Sequence, residues 1–398
     1  MNGRDDMESV NQLVLRDINS GSILRTIRDH APISRADIGE RLGLAPSTIS
    51  VITKELQERN LIRECGRASS TAGRRRVLLE INPSGGHFIC ADLSGSQLNV
   101  AVLDLSFHLV QSWDLPMAGR RGDALYDYLR NALHVARDWC GERKLVVFNI
   151  GIATPGLVEP GTGTVLEADN LSWYEFQLQE RLQQEFDCPV WVENDTNTAA
   201  YGEYRYGYGK DQHVANLMYV TIGTGIGAGL ILNGQMYAGS AGMAGEIGHV
   251  VVAMDGPVCV CGNRGCVESI ASAQALVRDY RTMVKSPAEV DVTIDEIIDL
   301  AEAGDPVARS LVERAGRAIG LAVGSQVNIL NLHSVLFGGL AYRGTLLLQS
   351  IRKAIDAAVL PNLREQLDVR EASLGPRAAL VGTASLSLDR MMKGFTSA

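Results

Sequence analysis

The chain has 398 residues, 46% of them hydrophobic and 21% charged, and a formal net charge of -9. That length predicts two or three domains, and that composition a globular chain with a sizeable buried core. The acidic balance excludes a protein that coats nucleic acid over its whole surface, and no apolar run reaches the ~18 residues of a membrane span. The polar start MNGRDDMESVNQ has no apolar signal core, so a cytoplasmic protein with no membrane partner is expected. Charge is unevenly spread. Residues 1–80 hold 13 Lys and Arg against 11 Asp and Glu, a local +2, so contact with a polyanion is expected only at the front.

Three helical patterns open the chain. Ile23, Leu24 and Ile27 give the first an apolar face. Ser34 opens the second, with Asp37 three residues on as its capping partner and Ile38 and Leu42 as its buried stripe. Gly43 breaks that helix, and Pro46 restarts the chain at a favoured first-turn position. Ile49, Ile52 and Leu56 then keep inward spacing to about Arg59. The segment ISRADIGERLGLAPSTISVITKELQERNLI is therefore a helix-turn-helix pattern. Ser47, Thr48, Ser50, Thr53 and Lys54, with Arg35 on the preceding helix, are the residues expected to meet a major groove. Leu61-Ile62 and Val77-Leu78-Leu79 predict two short strands around RECGRASSTAGRRR. A basic hairpin there reads as a wing, with Arg67, Arg74, Arg75 and Arg76 available to phosphates or a minor groove. Residues 1–82 are thus expected to form a winged helix-turn-helix domain whose partner is operator DNA.

From about residue 85 strands and helices alternate, which predicts an α/β organisation. HFICADLS and QLNVAVLDL read as two strands joined by a tight turn. Strands at 144–152, 189–192, 217–222 and 335–337 each run into a loop rich in glycine or polar residues. Helices are expected at 123–142, 174–186, 196–206, 271–284, 294–328 in pieces and 344–360. Three loops, Asp92-Leu93-Ser94-Gly95-Ser96, GTGIGAG (Gly223 to Gly229) and Gly338-Gly339, come in the order that would surround a nucleotide in a two-lobed phosphotransferase.

Nearly the whole chain resembles the ROK family of sugar kinases and repressors, and its winged helix followed by INPSGGHFICADLS resembles the repressor branch. The most specific stretches are ENDTNTAAYGE (193–203) and AGEIGHVVVAMDGPVCVCGNRGCVE (244–268). The resemblance implies a two-lobed actin/hexokinase-like (ribonuclease H-like) sugar-kinase fold. One lobe would span 83–196 with the C-terminal helix returning to it, and the other 197–398 with the cysteine-bearing loop. It also implies that Asn194, Asp195, Glu246, His249 and Glu268, with Asn170 in ADNLSW, hold a monosaccharide or sugar phosphate. In the kinases the aspartate matching Asp195 is the general base, so Asp195 would be a vestigial base here. A homodimer or homotetramer is the family expectation.

His249, Cys259, Cys261 and Cys266 form H-x9-C-x-C-x4-C, one imidazole and three thiols on a glycine-punctuated loop. Such donors suit tetrahedral Zn2+, and four protein ligands leave no open position, so the ion would be structural. His249 would then serve the ion with one ring nitrogen and a sugar hydroxyl with the other. Sensor and kinase share this pocket. The winged helix favours a sensor, and so does the first loop, where the family's Asp-x-Gly-Gly-Thr reads Asp-Leu-Ser-Gly-Ser. Ser94 replaces a glycine and crowds the approach of a phosphate. The expected function is a sugar-responsive transcriptional repressor rather than an enzyme. An ATP-dependent sugar kinase with an appended DNA-binding domain is the alternative.

Overall fold

The computed structural model describes residues 3–67, 76–212, 214–284 and 292–394. The head comprises α1 (Gly3–His30), β1 (Ile33–Ser34), α2 (Arg35–Leu42), α3 (Pro46–Glu58), β2 (Ile62–Arg67) and β3 (Val77–Ile81). Ser34 caps α2 by accepting the Asp37 N–H, and Gly43 ends it in the left-handed region at φ 65°. Pro46 sits in the first turn of α3, where a missing N–H costs nothing. The antiparallel sheet β1-β3-β2 completes a winged helix.

The first lobe follows with β4 (His87–Asp92), β5 (Gln97–Asp104), β6 (Leu109–Pro116), α4 (Gly122–Glu142) and β7 (Val147–Thr154). A small sheet of β8 (Leu157–Val158), β9 (Val165–Ala168) and β10 (Trp173–Phe176) comes next, then α5 (Leu178–Gln183) and β11 (Val190–Asn194). Two helices, α6 (Asp195–Tyr206) and α7 (Tyr208–Gln212), lead into the second lobe. That lobe contains β12 (Leu217–Ile222), β13 (Ile226–Leu232), β14 (Gln235–Met236), α8 (Val267–Ala271), α9 (Ala273–Met283), α10 (Ile294–Glu302) and α11 (Pro306–Leu330). It ends with β15 (Ser334–Gly339), α12 (Thr345–Ala358), α13 (Pro361–Arg364) and β16 (Asp368–Glu371), after which α14 (Ala378–Gly394) closes the described chain.

The two five-stranded sheets share one topology. β4-β5-β6 and β12-β13-β14 are antiparallel in chain order, and β7 with β11, and β15 with β16, extend the first strand of each on its other side in parallel. Several segments depart from the sequence reading. Residues 109–116 form a strand, and β13 begins inside the GTGIGAG stretch. Where a helix from 174 was expected, Trp173 and Phe176 stack in β10 against β9, and only 178–183 are helical.

Period-two alternation decides what the first sheet touches. Ile89, Ala91, Val100 and Val102 face the core shared with α4. Phe88, Cys90, Ala101 and Leu103 face the other way, into a core shared with Ile23, Ile27 and Leu56 of the head and with Leu380, Ala384 and Leu388 of α14. Among the described residues the head therefore has no core of its own. α14 returns to the first lobe, and the absence of a Cβ on Gly151 leaves space for the Thr383 methyl. Among the described residues no helix is long and apolar enough to cross a membrane.

Candidate ligand pocket, metal centre and nucleic-acid interface

The pocket starts where β11 becomes α6. Asn194 caps α6, with Oδ1 accepting the Asn197 N–H at 2.9 Å and Nδ2 donating to Gly156 O at 3.0 Å. Much of its hydrogen-bonding capacity is thus spent on shaping the site, the turn-and-cap role common for such a residue. Asp195 is 8% exposed. Its Oδ1 accepts the Thr196 N–H at 2.7 Å, and Oδ2 makes no hydrogen bond among the described residues. Burial, reinforced by the nearby Asp92 carboxylate, pushes Asp195 up to about 7. Asp92 is also raised by burial, although Ser94 N–H donates to its Oδ1 at 2.8 Å. Two enclosed carboxylates thus share the floor of the cleft.

The crevice beside them is walled by Gly156, Leu157, Asn194 and Thr196 on one side and by Ala244 and Glu246 on the other. Glu268, in the first turn of α8, accepts the Ile226 N–H at 3.0 Å, which ties it to the start of β13. Gly225 permits this, since a Cβ there would stand 2.8 Å from Glu268 Oε2. Glu246 is held above the usual carboxylate range by crowding from surrounding protein and by Glu268, with His249 acting against the shift, although its side chain is 46% exposed. Asn170 is exposed in the turn between β9 and β10, on the small sheet that also carries Leu157.

The central glycines need a correction. Gly227 and Gly229 lie in β13 and face α6. A Cβ on Gly229 would stand 2.7 Å from Thr196 O, and one on Gly227 would stand 3.1 Å from Thr196 Oγ1. Both let α6 pack closely on the sheet, which a spacing argument from phosphate loops does not reveal. Only residues 223–225 form the turn itself.

The cysteine loop folds back on the short helical turn that carries His249. Gly262 and Gly265 take φ of 89° and 71°, where side chains are disfavoured. The donor atoms of His249, Cys259, Cys261 and Cys266 lie within 4.8 Å of one another, a group able to hold a metal ion. Cys259 Sγ is 3.6 Å from His249 Nδ1, and Cys261 Sγ is 3.7 Å from Cys266 Sγ. The Asn263 N–H is the main cause that lowers the Cys261 thiol to about 7. The other imidazole nitrogen, Nε2, lies 4.0 Å from Glu246 Oε2. One ring thus spans the cysteine loop and the cleft.

On the head, Ser47, Ser50 and Lys54 are exposed along α3 and Thr48 is half-buried. Ser50 donates to Pro46 O, and Lys54 pairs with Glu58 at 3.6 Å. Thr53 is not outward. It is fully buried, donates to Ile49 O at 2.7 Å and accepts from Arg35 Nε at 2.9 Å. Four residues after Ile49, it shares the core face. Arg35 is likewise committed inside the head, reaching Gln57 at 2.8 Å and Glu64 at 3.9 Å. Val51, absent from the sequence-derived set, is 52% exposed. Ser47, Val51, Lys54 and Glu58 follow one stripe at i, i+4, i+7 and i+11, so helical spacing alone would have found it. Arg67 is exposed at the end of β2, and Arg76 is exposed and pairs with Asp37 at 2.8 Å. Arg74 and Arg75 lie outside the described residues.

A winged helix-turn-helix DNA-binding family matches residues 16–63, and the ROK family matches residues 88–390. The chain belongs to the ROK family. The xylose repressor of Bacillus spizizenii is 30% identical over 97% of this chain and 99% of its own length. The DNA-binding transcriptional dual regulator NagC of Escherichia coli is 30% identical over 96% of this chain and 95% of its own. Among solved structures, a ROK family transcriptional regulator homologous to the E. coli MLC protein superposes with a TM-score of 0.83 at 28% identity, covering 96% of this chain and 98% of its own. A ROK glucokinase from Streptomyces griseus, solved with glucose and AMPPNP, superposes at 0.66 with 30% identity. It covers 76% of this chain and 99% of its own, so the kinase's whole length is accounted for with about a quarter of this chain left over. The ROK regulator matches head and lobes together. This ROK protein is a DNA-binding transcriptional regulator of the family.

Proposed function

We propose that this ROK regulator is a repressor of carbohydrate-utilisation genes that changes its grip on operator DNA when a monosaccharide or sugar phosphate enters the cleft. The observation that carries the reading is the shared core of head and first lobe, because a ligand that moves one lobe against the other must also move the head relative to the second lobe. Asp195, Glu246, His249 and Glu268 supply acceptors, and one further donor, for adjacent sugar hydroxyls. Asn194 shapes the site, and Asn170, exposed on the small sheet that carries Leu157, would be a further contact. Ser47, Ser50, Val51 and Lys54 would face the major groove, while the wing arginines 67, 74, 75 and 76 would meet the backbone or minor groove. A homodimer or homotetramer places two heads on half-sites of fixed separation, so a modest lobe rotation changes affinity. The protein would work in the cytoplasm.

Zn2+ is the ion we assign to His249, Cys259, Cys261 and Cys266. Tetrahedral zinc with ~2.3 Å bonds to sulfur and ~2.0 Å bonds to nitrogen spaces two sulfurs ~3.8 Å apart and a sulfur and a nitrogen ~3.5 Å apart, close to the Cys261–Cys266 edge of 3.7 Å and the Cys259–His249 edge of 3.6 Å. When bound, the ion would pin the loop and fix the tautomer of His249, leaving Nε2 turned towards Glu246 and a sugar hydroxyl.

The test is a thermal-shift screen of monosaccharides and their 6-phosphates, with and without ATP. Stabilisation by a sugar, with no added effect of ATP and no phosphorylated product, is expected. ATP-dependent turnover of that sugar would overturn the reading in favour of a kinase.

A further inference from the structure

Two neighbouring residues of α14 hold opposite parts of the molecule. Arg390 donates from Nη2 to Glu193 Oε2 at 3.2 Å, and its guanidinium lies 5.0 Å from the centre of the Trp191 ring. Both partners belong to β11, and Glu193 Oε1 also accepts the N–H of Asn194, the cap at the pocket. Asp389 faces the head. Its Oδ1 pairs with Arg28 of α1, and its Oδ2 accepts the hydroxyl of Tyr201 on α6. The Arg28 side chain is only 5% exposed and also reaches Asp29 at 2.8 Å, while Asp29 accepts from Arg205 near the end of α6 at 3.0 Å. Burial, with Asp389 beside it, raises the Tyr201 hydroxyl far above its usual range, so it remains a donor.

α6 and α14 cannot slide independently. They cross where a Cβ on Gly202 would stand 2.5 Å from Ala378 O and where one on Gly382 would strike Thr198 O. Glu203 adds a clamp, accepting from Ser373 Oγ at 2.7 Å and Leu374 N at 2.5 Å just before α14. α6 therefore behaves as a rod of ~18 Å, with Asp195 at one end in the pocket and Arg205 at the other against α1.

We propose that Tyr201, Asp389 and Arg390 are positioning residues that carry the state of the pocket to the head, with the buried Arg28–Asp389–Tyr201 cluster as the contact that fixes the attitude of α1. The proposal rests on the sugar-regulator reading above. An enclosed ion pair with a third hydrogen-bonded member suits this role. Removing one partner leaves another charge buried, so the cluster favours discrete arrangements over a continuum. Tyr201 and Asp389 touch nothing in the crevice, so their effect on sugar binding itself should be small.

The experiment is hydrogen–deuterium exchange on the full chain with D-xylose, D-glucose or N-acetyl-D-glucosamine, in wild type, Tyr201→Phe and Arg390→Gln. In wild type the sugar that stabilises the protein should change exchange both in residues 195–206 and in residues 20–30. In each variant the change at 195–206 should persist and the sugar Kd should stay within threefold, while the sugar-dependent change at 20–30 falls at least threefold. A merely structural role would alter exchange at 20–30 equally with and without sugar, and that result would overturn the proposal. So would a full head response in both variants, or a wild type that binds sugar while its head stays silent. A wild type that binds none of the sugars would remove the underlying reading, and the coupling with it.

Discussion

The two lobes use one strand order for different purposes. In the first, the face of the sheet turned away from α4 is covered by the head and α14, so Phe88, Cys90, Ala101 and Leu103 lie in the core that the head shares. In the second, the corresponding space is filled by α6, which packs against Leu217, Tyr219 and Ile231. The second lobe instead supplies Glu246, His249 and Glu268 to the cleft and carries the cysteine loop. One lobe thus shares its core with the DNA-binding head, and the other holds most of the polar groups that a ligand would meet. A ligand bridging the cleft acts between these two units, which is how a kinase-like frame can report on a sugar without transforming it.

The sharpest way to break this division is to damage only the second unit. Cys266→Ser, or a chelator that removes the proposed Zn2+, should cost the sugar at least tenfold in affinity by calorimetry while DNA affinity without sugar changes less than threefold. Equal losses of both would show that the loop supports the whole fold. Damage to the first unit should spread. Leu388→Ala deletes a buried side chain common to α14, the head and the first sheet, and such truncations cost about 2–5 kcal/mol. Head and first lobe should then melt together at a lower temperature, and a separate early transition of the head would contradict the shared core.

A titration distinguishes the floor of the cleft from its walls. The folded Asp195 pKa, about 7, lies above its ordinary 3.8. Between those values the folded state binds more protons than the unfolded one, so this group's contribution to stability falls as pH rises from 3.8 to about 7 and is flat above. Asp195→Asn should therefore stabilise the sugar-free protein at pH 8, by at most about 4 kcal/mol, and have little effect near pH 4. Sugar binding should weaken in the same variant. A melting temperature unchanged at pH 8 would argue against the enclosed carboxylate. The smallest effect belongs to the head. Val51→Asp should weaken binding to operator DNA about threefold at low salt, because it sets a carboxylate on the exposed stripe of α3 that would face the phosphates. Unchanged binding would place Val51 outside the groove.

Much of the head was legible in the sequence because its signals are short-range. Ser34, Gly43 and Pro46 mark helix ends within a few residues, and those ends occur where expected. Thr53 departs from that reading for a related reason. A polar side chain looks outward in a list of residue types, but helical geometry puts Thr53 beside Ile49, where Arg35 satisfies it. In the cleft the spacing of the cysteines announced their convergence, since all four donors lie on one short loop and its neighbouring turn. The packing role of Gly227 and Gly229 was not legible, because it depends on a helix about 30 residues earlier that returns to the same sheet. Nor was the coupling of Asp389 to Arg28, whose partners stand at opposite ends of the chain. HFICAD did carry a hint, since a strand apolar on both faces must be covered on both.

Operator DNA, selected from a random duplex library with the sugar-free protein, is the ligand whose affinity is to be measured with and without a saturating concentration of the sugar that stabilises the protein most. At least a tenfold change in Kd on adding sugar is expected, with no ATP consumed. An unchanged Kd together with ATP-dependent phosphorylation of that sugar would contradict it.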